Sequence, residues 1–329
     1  MLATWQDGEV RDIHQEMMRL LLEIVTKALF DVAISGKSQE VMEAYERVAK
    51  TFGGQGGGIQ LQEGFHGVLL RFLEYLRFCR AIRQLNKITY GVINERRGSS
   101  ENTGDLLSML LHFQDEDGNR MSDKQLRDEV VTMLFAGHET AANSLSWTWY
   151  LLSKHPKIEA KLFTELQEVL GDRGPTVEDL PRLRYTEMVV KESMRLYPPV
   201  WNIGREVKEE SEIGGYHMPP GTQLFLSQWV VHRDPRYFET PEVFSPERWE
   251  DGLAKRIPRY AYFPFGGGPR QCIGKSFAMM ETILVLATIA KKFQLKLVSE
   301  QRIIPRPGVT LHPGGGIKMR LKERSPTTC

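Results

Sequence analysis

Cys272 stands at the end of a glycine-rich loop, Phe265 to Gly274 (FGGGPRQCIG), and the chain turns helical directly behind it. From Lys275 to Lys292, Phe277, Met280, Ile283, Leu284 and Ala287 recur on one helical face. A cysteine where a glycine turn meets a helix start receives backbone N–H groups and the positive end of the helix dipole. Both favour the thiolate that metals bind. Gly266, Gly267 and Gly268 permit positive φ and a close approach of the backbone to a flat ligand. Phe265 can shield the sulfur from water, Arg270 can fork onto a carboxylate, and Gly274 leaves room beside the thiol.

Two other readings compete for the same loop. A lone cysteine is commonly a buried free thiol, and Gly274-Lys275-Ser276 resembles the end of a phosphate loop. The phosphate loop fails on spacing, because Pro269 occupies the place of its first glycine. Cys79, Cys272 and Cys329 form neither a zinc spacing nor a disulfide framework, which points to a reducing, cytoplasmic setting. With 329 residues, 41% hydrophobic and 26% charged, the chain can bury a large core. A formal net charge of +1 and the lack of a basic stripe argue against nucleic acid. No apolar run approaches the roughly 20 residues of a membrane span, and the polar start from Gln6 onward is not a signal peptide.

The periodicity predicts a mainly α chain with a small β region in one domain, residues 1–329. Helices are expected from Ile13 to Ala28, from Val41 to Phe52, and, as one or two, from Val68 to Arg97, with Gly53 to Gly58 as a loop. A Ser122/Gln125 capping box opens a long helix to about Ser153, stopped by His155-Pro156. Another ends at Leu170-Gly171, and one more runs from Thr186 to Tyr197. Ile203 to Val207, Ile213 to His217 and Gln223 to Leu226 alternate as a small sheet. Asp234 to Pro264 reads as irregular but packed. Hairpins are expected around Gln294 to Val298 and across Gly314-Gly315-Gly316.

In the long helix, Ala136-Gly137-His138-Glu139-Thr140 sets two very small side chains beside an acid and a hydroxyl. The small pair suits either a ligand approaching the backbone or a close helix crossing, and Thr140 can bond a carbonyl one turn back. His138-Glu139 is not a zinc motif, since Ala142 stands where HExxH needs its second histidine. Glu192 and Arg195, three apart, share a helical face.

Taken together, these motifs resemble the cytochrome P-450 family of haem-thiolate monooxygenases. FxxGxRxCxG is filled by Phe265, Gly268, Arg270, Cys272 and Gly274, and [AG]GxxT by Ala136, Gly137 and Thr140. The ExxR pair is Glu192 and Arg195, and Pro246-Glu247-Arg248-Trp249 resembles the family's PERF segment with tryptophan in the last place. The resemblance covers Ser122 to the end and implies a cytochrome P-450-like fold. No WxxxR helix precedes it, which suggests a chain truncated at its N-terminus, with a membrane anchor upstream left open.

The resemblance implies haem b, iron protoporphyrin IX, bound through Cys272, with Arg270 and Arg205 on the propionates and Phe265, Gly268 and Gly274 around the sulfur. It implies that Thr140 and Glu139 deliver protons and that Glu192, Arg195 and Arg248 form a structural network; His232, in HRDP, is a weaker match. The implied reaction inserts one oxygen atom of O2 into a small lipophilic substrate. Electrons would come from a ferredoxin- or flavodoxin-type donor and its reductase, met by Lys255, Arg256, Arg259 and Lys275. Phe135, Ala136, Val200, Trp201 and Ile203 are candidate pocket linings. A haem-thiolate peroxygenase or isomerase, and a haem-binding fragment without catalysis, stand as alternatives.

Overall fold

The computed structural model describes residues 1–31, 44, 48, 65–98, 104–299 and 301–324. The expected helix at Val41 to Phe52, apart from Ala44 and Val48, and the Gly53 to Gly58 loop lie outside them. The helices are α1 (Ile13–Phe30), α2 (Phe65–Gly98), α3 (Leu106–His112), α4 (Asp123–Lys154), α5 (Pro156–Leu170), α6 (Arg184–Leu196), α7 (Gln228–Val231), α8 (Leu253–Arg256) and α9 (Lys275–Lys292). The strands are β1 (Val10–Asp12), β2 (Ile203–Glu206), β3 (Ser211–Ile213), β4 (Tyr216–Met218), β5 (Gln223–Leu226), β6 (Phe293–Leu297), β7 (Ile304–Pro307), β8 (Leu311–Gly314) and β9 (Lys318–Glu323). None of the described helices is long and apolar enough to cross a membrane.

The chain forms two compact units. One holds Met1–Ile13, Asn143–Arg306 and the described residues from Thr310 onward; the other holds the described residues of His14–Ala142 with Pro307–Val309. In the second unit, α1 buries Met17, Leu21, Leu22 and Val25, and α4 buries Leu126, Val130, Leu134 and His138 as a stripe of spacing four. The Ser122/Gln125 box is formed, with reciprocal bonds of 2.9 and 3.3 Å. Arg96 donates to Asp105 at 2.5 Å, to Ser108 at 2.8 Å and to the Phe30 carbonyl at 2.7 Å, fastening α2 to α3 and to the end of α1. The short helix α3, capped by Asp105, is too brief for its periodicity to stand out in the sequence.

In the first unit, β9 runs antiparallel between β1 and β6. Its alternation buries Met319 and Leu321 and exposes their neighbours, while Phe293 and Leu295 of β6 face the same way. Trp5 packs edge-on against Phe293 at 5.5 Å. The strands around Gly314-Gly315-Gly316 differ from the expected hairpin, because β8 pairs with β7 while β9 joins the other sheet. The expected single small sheet is two separate pairs, β2 with β5 and β3 with β4, and Ile213 to His217 runs from the end of β3 across the turn into β4. Gly214 and Gly215, both at positive φ, make that turn. Leu321 has no exposed surface. Leu321→Ala is expected to cost about 2–5 kcal/mol, read as a lower urea midpoint at unchanged slope.

Candidate functional site

The cysteine loop is a tight hairpin in the first unit. The Gly266 N–H donates to the Phe263 carbonyl at 2.9 Å, Gln271 to Gly268 at 3.1 Å, and Cys272 to Phe265 at 2.9 Å. Gly266 and Gly268 take φ of 69° and 68°, as the turn requires. Gly267 departs from expectation: at φ −168° its backbone is extended, and glycine is needed there because the Tyr260 ring lies 2.4 Å from where a Cβ would stand. A Cβ on Gly274 would lie 3.9 Å from the Cys272 sulfur. Ile203 of β2 packs against Gly266, its methyl 3.5 Å from that residue's would-be Cβ. Of the other pocket candidates in this unit, Val200 and Trp201 are half-buried.

Cys272 is exposed, three residues before α9, and Ile273 beside it is 87% exposed. Arg270 and Arg205 are exposed too; Arg205 donates to the Gly204 carbonyl at 2.8 Å. Among the described residues no cluster of three or more His, Cys, Asp or Glu could hold a bare metal ion. A single thiol, with Gly274 rather than a larger side chain next to its sulfur, instead suits an iron whose remaining ligands come from a planar macrocycle. The residues present therefore fit a haem.

Behind the hairpin lies a buried ion network. Glu192 and Arg195, both without exposed surface, form a two-pronged pair at 2.8 and 3.0 Å. Arg248 Nε donates to the same carboxylate at 2.9 Å, the Ser245 N–H at 3.1 Å, and the indole N–H of Trp249 at 2.9 Å. Trp249 thus supplies a hydrogen bond that phenylalanine could not. Arg195 reaches the carbonyls of His232, Pro241 and Val243 at 2.7–3.1 Å, and Arg248 those of Glu239 and Val243 at 2.9 and 3.2 Å. These contacts fasten the irregular 234–249 segment to α6.

Two further buried groups stand out: His232, a weak match in the sequence, and Glu281, which no sequence pattern marked. The His232 ring accepts the Phe263 N–H at Nε2, 3.0 Å away, and burial with the nearby Arg195 and Arg233 lowers its pKa to about 3. The carboxyl of Glu281, on α9, is buried with no hydrogen-bond partner for either oxygen among the described residues.

In the other unit, Gly137 faces Val25, whose methyls lie 3.2 and 3.3 Å from a would-be Cβ. The glycine therefore serves a close crossing of α1 and α4. Ala136 and Thr140 lie on the opposite side of α4 from the Leu134/His138 stripe, Ala136 exposed and Thr140 half-buried. The Thr140 hydroxyl donates to the Ala136 carbonyl at 2.7 Å, and α4 continues unbroken. Glu139 and Phe135 are half-buried. His138 is fully buried, its Nδ1 2.9 Å from the Leu134 carbonyl, and burial lowers its pKa to about 4, so it is neutral near pH 7.

Against this geometry stand the known proteins that the chain resembles. The family model for cytochrome P-450 matches residues 3–318. A cyclooctatin synthase of Streptomyces melanosporofaciens is 37% identical over 95% of this chain and 68% of its own length. A cyclooctat-9-en-7-ol 5-monooxygenase of the same organism is 38% identical over 94% of this chain and 65% of its own length. A pentalenene oxygenase of Streptomyces avermitilis is 32% identical over 98% and 71%. The chain thus spans about two thirds of the length of these relatives. The crystal structure of the cytochrome P-450DA heme domain superposes with a TM-score of 0.86 at 29% identity, over 98% of this chain and 70% of that one.

Burial pushes the Glu281 carboxyl up to about 8. The folded protein then keeps this proton up to about pH 8, while the unfolded chain releases it near 4.5. Stability therefore falls as pH rises from 4.5 to 8, by at most about 1.4 kcal/mol per pH unit. Glu281→Gln is expected to flatten that decline, so that thermal melts of variant and wild type diverge with rising pH, the variant melting higher at pH 8.

Proposed function

We infer that this chain, which belongs to the cytochrome P-450 family, is a haem-thiolate monooxygenase that inserts one oxygen atom of O2 into a lipophilic substrate. The observation that carries the reading is the free Cys272 thiol on a hairpin tied by backbone hydrogen bonds, with its neighbouring segment fastened to a buried Glu192–Arg195 pair. Residues 1–329 act as one catalytic domain. The names of two relatives, a pentalenene oxygenase and a cyclooctat-9-en-7-ol 5-monooxygenase, favour a cyclic hydrocarbon or alcohol as substrate.

Haem bound through Cys272 supplies dioxygen activation, and electron donation from the thiolate favours O–O cleavage. Cys272 would hold the iron through its sulfur, Phe265 would screen that sulfur from water, Gly274 leaves the space beside it free of a side chain, and Gly268 supplies the positive φ of the turn. Arg270 and Arg205 offer guanidinium forks for the two propionates. Monooxygenation consumes protons, which Thr140 would pass on through a water at its hydroxyl, while half-buried Glu139 would take a proton from solvent onto its carboxylate and hand it on as the acid. Glu192, Arg195 and Arg248 hold the segment next to the hairpin. The exposed Lys255, Arg256, Arg259 and Lys275 meet an acidic ferredoxin- or flavodoxin-type donor in the cytoplasm.

The protein loaded with iron protoporphyrin is expected to give the red-shifted carbon monoxide difference band of a thiolate ligand, and Cys272→Ser to lose it. A wild-type band typical of histidine ligation overturns the reading. Thr140→Ala is expected to retain the band while diverting reducing equivalents into peroxide, measured as product formed per electron consumed. Unchanged coupling would remove Thr140 from the proton route.

A further inference from the structure

His232 joins the buried ion pair to the cysteine hairpin through its own atoms. Its carbonyl accepts Arg195 Nη1 at 2.9 Å, its N–H donates to the Gln228 carbonyl at 2.9 Å, and the residue has no exposed surface. Its ring lies against Tyr262 at 5.1 Å and edge-on to Phe263 at 5.3 Å. Tyr262 is in turn tied to α6, its hydroxyl donating to the Lys191 carbonyl at 2.9 Å. Because Nε2 accepts an N–H, the ring proton resides on Nδ1. A protonated ring could not make this bond, and burial beside Arg195 and Arg233 keeps the ring neutral. The bond lands at the root of the hairpin: the Phe263 carbonyl accepts from Gly266, and two residues on, the Phe265 carbonyl accepts from Cys272.

We propose that His232 is a positioning residue for Cys272: by accepting the Phe263 N–H it sets the placement of the hairpin that presents the sulfur. The inference rests on the haem-thiolate reading. It differs from a general packing role because the requirement is an acceptor atom at the Nε2 position. Glutamine places its amide oxygen near that point, whereas phenylalanine keeps the ring contacts with Tyr262 and Phe263 but leaves the amide without a partner.

The test compares haem-loaded wild type, His232→Gln and His232→Phe by the carbon monoxide difference spectrum, reading the ratio of the thiolate band to the non-thiolate band. His232→Gln is expected to stay within about twofold of wild type, and His232→Phe to lower the ratio about tenfold, the scale set by orphaning one buried amide. Equal ratios in all three proteins, or equal losses in both variants, overturn the inference while the wild-type band leaves the haem-thiolate reading standing. A wild type with no thiolate band overturns both. Should His232→Phe fail to fold, hydrogen exchange at the Phe263 amide decides: strong protection in wild type and His232→Gln supports the inference, and exchange as fast as in an open loop overturns it.

Discussion

A carboxylate with no exposed surface must find all its compensation inside the protein, and Glu192 finds it in N–H donors from Arg195, Arg248, Trp249 and Ser245. Desolvating such a charge costs several kcal/mol, and removing one partner of a buried pair typically costs about 3–5 kcal/mol because the other charge is left exposed to an apolar interior. The arrangement holds because the donors are spread along the chain. Arg195 comes from the same helix, whereas Ser245, Arg248 and Trp249 come from a segment without regular backbone pairing of its own beyond a 3-10 turn. Folding of α6 therefore dictates where that segment lies.

The dependence continues outward in decreasing burial. Arg195 spends its remaining donors on backbone carbonyls, one of them that of His232, and from there contacts pass to Phe263 and the hairpin. At the far end Cys272 is exposed. The loop is thus braced from behind by groups that water does not reach. The helix behind the cysteine shows the same economy. α9 buries Leu286, Ala287, Ile289 and Ala290 in its later turns and leaves Lys275 and Ser276 at its start exposed.

Much of this was legible in the residues. α9 runs over the stretch its periodicity predicts, Gly171 ends α5, and the capping box opens α4, because each is a local signal read within a few residues. The pairing of strands was less so. β1 is three residues long with no alternation to betray it, and it is a strand only because Val10, Arg11 and Asp12 meet β9 from the other end of the chain. At the site, spacing anticipates the Glu192–Arg195 pair, whereas Arg248, 56 residues from Glu192, was linked to it only by the family resemblance. The roles of His232, Trp249 and Glu281 depend on which atom faces which across long sequence separations, and no periodicity encodes that. Gly137 shows the converse: the residue types left open a ligand approach or a close helix crossing, and the contact with Val25 decides for the crossing.

The ring of Tyr260 filling the space beside Gly267 carries an evolutionary corollary. Any side chain at 267 meets that ring, which is 52% exposed and must swing outward to make room. The two positions are therefore expected to vary together, a steric coupling between a turn and an aromatic ring seven residues before it.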